Sequence, residues 1–78
     1  MKKKKIKTST RRFQLHRDAD ESGVSGTGIV AEAVEFSNGK VVIVWLTSMS
    51  SVEILDNIKE VEAIHGHKGK TRIVFIDE

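Results

Sequence analysis

Residues 28–46 read GIVAEAVEFSNGKVVIVWL, two runs rich in β-branched residues joined by Ser37-Asn38-Gly39-Lys40. Asn-Gly at the centre of a two-residue connection favours a type I′ hairpin, because both positions tolerate positive φ. That turn sets a register in which Phe36 faces Val41, Val34 faces Ile43 and Glu32 faces Trp45. Ala31, Ala33, Val42, Val44 and Leu46 then occupy the opposite side of the pleat. Both sides carry apolar residues, which suits a strongly curved sheet that encloses a core on one face and is partly covered on the other.

On the N-terminal side of this hairpin, FQLHR alternates Phe13, Leu15 and Arg17 against Gln14 and His16, the period of a short strand. Between them DADESGVSGTG supplies turn formers and Gly23, Gly26 and Gly28, so residues 18–28 form a loop. On the C-terminal side the polar run TSMSS leads into SVEIL, a further strand. Asp56 then stands where a helix N-cap belongs, Ile58, Val61 and Ile64 make one apolar stripe, and Gly66 is placed as a stop. TRIVFI closes the chain as a strand with Ile73 and Phe75 on one side and Val74 and Ile76 on the other. The expected fold is mainly β, or β-rich α+β. It is a small SH3-like barrel of about five antiparallel strands with one short helix before the last strand.

With 78 residues and no internal repeat, the chain has room for one domain and one small core. It has no cysteine, so neither disulfides nor thiolate metal sites contribute. No apolar run approaches the length of a membrane span, and the start MKKKKIK is followed by TSTRRFQ rather than a signal-peptide core. A soluble, cytoplasmic protein is expected. The net charge of +2 averages two unlike parts. Residues 1–12 hold seven cations and no acid, Lys2, Lys3, Lys4, Lys5, Lys7, Arg11 and Arg12, which leaves −5 for residues 13–78. The organisation expected is a disordered basic tail over 1–12, removable without loss of the fold, and one barrel-like domain over 13–78. Such a tail suits phosphate backbones through counterion release, although an acidic body repels them.

The motif that invites a catalytic reading is HGHKGKTR, residues 65–72. Its GKT triplet ends like a phosphate-binding loop, but the first glycine of G-x-x-x-x-G-K-[ST] falls on Ile64. The segment also follows a helix and enters a strand, the reverse of the order in which a helix N-terminus holds phosphate. SGVSGTG fails likewise as a dinucleotide fingerprint, since its glycines run G-x-x-G-x-G and point into a strand. His65, His67 and His16 resemble a three-histidine set on paper, but no cysteine or clear carboxylate accompanies them, and no metal or cofactor is expected. The loop serines lie in no arrangement that ties one to a histidine and an acid, and Glu32 near Trp45 reads as a rim carboxylate. No catalytic residue is assigned, and the chain is expected not to be an enzyme.

FQLHRDADESGVSGTGIVAEAVEFSNGKVVIVWL together with VEAIHGHKGKTRIVFID resembles a family of small uncharacterised proteins encoded by bacteriophages and prophages, over residues 13–77. The motifs that carry the resemblance are SGVSGTG and HGHxGxTRIV. Ala33 stands where relatives often have glycine and Phe75 where they often have tryptophan. The resemblance implies a phage or prophage origin and no particular activity.

Two functions are consistent with these residues. The first is an accessory binding module whose glycine-rich and HGHKGKTR loops hold an anionic small molecule or a host protein, through His65, His67, Lys68, Lys70, Arg72, Ser25 and Thr27. Here arginine supplies a planar fork of donors, lysine a movable charge, and the glycines close backbone approach. The second is a nucleic-acid accessory protein whose affinity resides in the basic tail. Self-association is left open. Arg72 also has an alternative role, pairing with an acid such as Glu53 or Asp77 across the sheet.

Overall fold

The computed structural model describes residues 7–18 and 27–77, and for His67 the backbone alone. The elements run β1 (Arg11–Arg17), β2 (Gly28–Glu35), β3 (Val41–Trp45), β4 (Val52–Leu55), α1 (Ile58–His65), a 3-10 turn (His67–Gly69) and β5 (Thr71–Phe75). All five strands pair antiparallel in one sheet of order β4-β3-β2-β1-β5. The fold is therefore mainly β, as expected, with a meander of four strands and a last strand that returns to the first. Among the described residues no helix is long and apolar enough to cross a membrane.

The core follows from strand alternation. Phe13, Leu15 and Arg17 point inward on β1, and Ala31, Ala33, Val41, Ile43 and Leu55 join them from β2, β3 and β4. Val61 of α1 covers the group and is fully buried. Small and large side chains face one another across the sheet: Ala33 lies between Phe13 and Ile43, and Ala31 between Leu15 and Trp45. A bulge between Leu15 and His16 skips Val30, which turns inward beside Ala31 and bends β2 around the core.

The hairpin differs from the expected one by a single residue. Glu35 pairs with Val41, Val34 with Val42 and Ala33 with Ile43. The connection has three residues, Ser37-Asn38-Gly39, closed by Phe36 N–H donating to the Lys40 carbonyl at 2.7 Å and Gly39 N–H donating to the Phe36 carbonyl at 2.9 Å. Only Gly39 of this turn has positive φ, at +93°, whereas type I′ requires it of Asn38 as well. Asn38 stabilises the turn with its side chain instead, Oδ1 accepting from the Lys40 amide at 3.0 Å. The one-residue change reassigns the partners, so Val41 and Ile43 lie inward with Ala33, while Val34, Val42 and Val44 share the outer face. Glu32 opposes Val44 rather than Trp45 and is exposed. Gly39→Val should cost more than about 1 kcal/mol, since a β-branched residue is forced to positive φ. A melting temperature equal to the parent's would contradict the turn.

Two features of the helix also differ from expectation. Asn57, not Asp56, is the N-cap, its Oδ1 accepting from the Glu60 amide at 2.9 Å. Asp56 is engaged by Lys40 Nζ at 2.6 Å, so its carboxylate is turned to the hairpin. Ile64 is exposed, and the face turned to the sheet carries Ile58, Val61 and His65. The helix stops at Gly66 as the sequence indicates, and a Cβ there would stand 2.5 Å from the Glu62 carbonyl oxygen. Finally, β1 begins at Arg11, two residues before the alternation suggests.

Candidate functional site

One end of the sheet collects the ends of several elements and most of the reactive side chains. Arg17 ends β1, Trp45 ends β3, Glu53 lies near the start of β4, His65 ends α1 and Thr71 begins β5. Glu53 occupies an inward strand position and is held there by two donors. Trp45 Nε1–H donates to Glu53 Oε1 at 3.1 Å, and His65 Nε2–H donates to the same oxygen at 2.8 Å. The His65 ring meets the Trp45 indole edge-on, with centroids 4.8 Å apart. Arg17 is buried, donates from Nε to Thr71 Oγ1 at 3.1 Å, and lies 6.0 Å from the Trp45 ring centre. A buried guanidinium beside tryptophan fixes the end of β1 here.

The HGHKGKTR segment forms a compact turn around one carbonyl. The Gly66 oxygen accepts from the amides of Gly69 at 3.0 Å and Thr71 at 3.1 Å. Lys68 has φ 55° and Gly69 φ 90°, so the chain reverses through two left-handed residues before entering β5. Lys68, Lys70 and Arg72 are all exposed. Arg72 forms a two-pronged pair with Asp18, Nε at 2.9 Å and Nη2 at 3.2 Å. Asp18 also donates its amide to the Lys70 carbonyl at 2.7 Å, which ties the residue after β1 to the turn.

Beside this turn lies a groove of about 520 Å³ between α1 and β5. Leu15, Val61, Ile73 and Phe75 give it apolar walls, and Glu62, His65, Lys68 and Arg72 stand among the polar groups that line it. The structure thus brings His65, Lys68 and Arg72 to one groove. Lys70 and Thr27 belong to segments at the same end of the sheet, Thr27 just before Gly28, the partner of Arg17. Ser25, Lys2, Lys3, Lys4 and Lys5 lie outside the described residues, as does the side chain of His67. His16 does not join His65. It lies on the outer side of β1, where Nε2 meets Gln14 Oε1 at 2.8 Å. Among the described residues no group of three His, Cys, Asp or Glu side chains is placed to hold a metal ion.

Sequence reasoning gave Arg17 no role at this end and offered Glu53 or Asp77 as the partner of Arg72, whose partner is Asp18, while Glu53 binds Trp45 and His65. The signal was present, because Arg17 and Glu53 each occupy an inward position in a strand whose other inward residues are apolar, and a charge in that phase needs a partner.

Of the seven cations assigned to the tail, two are part of the sheet. Arg11 Nη2 binds Glu35 Oε1 at 2.6 Å and its guanidinium lies 4.0 Å over the Phe75 ring. Arg12 grips Asp77 through Nε at 3.0 Å and Nη2 at 2.9 Å, and its amide adds a third bond at 2.8 Å. Hydrogen bonds from the Arg12 side chain, then from its backbone, hold the Asp77 carboxyl at about 2 instead of 3.8. Asp18 beside Arg72 and Asp56 beside Lys40 are lowered for the same reason. Folding therefore favours the ionised forms. The stabilisation is complete above the ordinary carboxylate pKa and is lost as pH falls from near 3.8 toward 2. The melting temperature should decline across that window, and Asp77→Asn should flatten the decline. An Asp77→Asn curve parallel to the parent's would show that the Arg12 pair contributes nothing.

The fold and site define a small, mainly β protein with an apolar groove rimmed by charge between α1 and β5. A family model described as Acb5 phage protein matches residues 10–77. The chain belongs to that family of phage proteins. No curated protein and no solved structure matches it.

Proposed function

We propose that this phage protein is a non-enzymatic accessory binding module that recognises an anionic group, on a small molecule or on a host protein, at the groove between α1 and β5. The observation that carries this reading is the groove itself, which combines apolar walls with His65, Lys68 and Arg72 at one end. Such a site buries the uncharged part of a ligand and orients it by a few polar groups. Asp18 holds Nε and Nη2 of Arg72 in one orientation, which leaves the Nη1 side of the guanidinium, beside exposed Lys68, for an incoming carboxylate or phosphate. The nucleic-acid reading loses Arg11 and Arg12, whose guanidinium groups are engaged by Glu35 and Asp77.

The test compares the parent with a Lys70→Ala, Arg72→Ala double variant against cyclic and linear nucleotides, phosphosugars and host lysate. The expected result is an identified ligand whose affinity falls with salt and is lost in the variant, with a melting temperature close to the parent's. Parent protein that binds none of these probes, or a ligand held equally by the variant, would overturn the reading.

A further inference from the structure

We propose that the groove takes an extended, acidic segment of a partner protein, which adds to the free edge of β5 as a sixth strand. The inference rests on the reading above and narrows it to a polypeptide.

The backbone carries the argument. Among the described residues β5 is the last strand of the sheet and pairs only with β1. Ile76 N–H donates to the Arg12 carbonyl and Asp18 N–H to the Lys70 carbonyl, so the even-numbered residues of β5 face β1. By the alternation of an antiparallel ladder, the N–H and C=O of Ile73 and Phe75 point the other way. The Thr71 amide is taken by Gly66, which marks where the turn ends and the open edge begins. Among the described residues no strand covers that edge.

An edge of this kind is satisfied by another extended backbone, and a small molecule offers no matching row of donors and acceptors. The groove supplies the second requirement. Ile73 and Phe75 line it from the strand, while Ile58, Val61, Glu62 and His65 line it from the helix. A strand laid on β5 sends alternate side chains into this space. Apolar side chains suit its middle, where Leu15 and Val61 form the floor. At the end where α1 stops and β5 starts, exposed Lys68 and the side of the Arg72 guanidinium turned away from Asp18 line the groove and suit an acidic side chain or a terminal carboxylate. Glu62 on the helical wall disfavours acid in the middle, which confines the negative charge to one end.

The experiment uses the full chain and a ribosome-displayed library of random peptides of about ten residues, a length sufficient to span the edge. Selected peptides are synthesised, and each is also made with alternate amides N-methylated in the two possible phases. The expected sequences alternate apolar residues and carry an acid near one end. Backbone amide shifts should be largest at Ile73 and Phe75. N-methylation in one phase should weaken binding at least about tenfold and in the other leave it unchanged, because only every second amide of an added strand faces β5. This readout leaves the protein unaltered, so no folding defect can mimic it. Equal effects of the two phases, shifts confined to another face, a library that selects nothing, or a second copy of the chain occupying β5 would each overturn the proposal. An anion whose binding needs Lys70 or Arg72, together with a barren library, would leave the broader reading standing and remove the peptide. Failure of both assays would remove both.

Discussion

Replacing Phe13 by alanine is expected to cost about 3–5 kcal/mol, the range for truncating a fully buried phenylalanine. A domain of this size has roughly 4–12 kcal/mol in total on the usual per-residue scale, so the variant should be largely or wholly unfolded at 37 °C. The reason is position. Phe13 is 1% exposed and opposes Ala33 on one side and Phe75 on the other. Its ring centre lies 5.2 Å from that of Phe75. Alanine at 33 leaves space that the Phe13 ring fills, so truncation opens a cavity between β2 and Phe75. Gln14→Ala, one residue along and on the outer side, should change stability little. Urea denaturation followed by fluorescence of Trp45 measures both. A cooperative transition for Phe13→Ala within about 1 kcal/mol of the parent would show that this ring is not central to the core.

The second large effect concerns where the domain begins. Removing residues 1–12 is harmless on the alternation of apolar residues alone, yet the structure places Arg11 and Arg12 in β1. Deleting them removes the pairs Arg11↔Glu35 and Arg12↔Val34, the bond from Ile76 N–H to the Arg12 carbonyl, and the Arg11 guanidinium over Phe75. The bond from Ile76 and the ring contact alone are worth about 2 kcal/mol, at roughly 1 kcal/mol for the backbone bond and somewhat less for the cation over the ring. A chain beginning at Phe13 should therefore melt about 8–16 °C below one beginning at Lys7. Equal melting temperatures would mean that the first two residues of β1 bear no part of the fold.

Much of the architecture was legible because its signals are local. Phe13, Leu15 and Arg17 in one phase, Gly66 after an apolar helical stripe, and TRIVFI with its two faces each announce an element within a few residues. The strand order follows almost without choice, since short connections force neighbouring strands to pair. Legibility ended where one residue had to be counted correctly. Asn-Gly suits both a two-residue and a three-residue turn, and the difference is decided by what the flanking strands bury. Ala31 and Ala33 must lie opposite Leu15 and Phe13, so Val41 and Ile43, not Val42 and Val44, turn inward. Likewise Asp56 and Asn57 are both good caps, and Lys40, sixteen residues away, takes the first of them.

By itself, the sequence determined that this is a small β-rich chain with a basic start and no cysteine, and that HGHKGKTR leads from a helix into the last strand. Those properties depend on composition, period and motif order, which a linear chain displays in full. Tertiary structure alone decided which charges are engaged and which line a site. Arg72 found Asp18, Arg12 found Asp77, and Glu53 found Trp45 and His65. Each partner is distant in the chain, and ion pairs and hydrogen bonds depend on distances of a few ångströms that only the paired strands establish. The groove has the same origin, since it exists because α1 covers Leu15 from one side while β5 returns to β1 from the other.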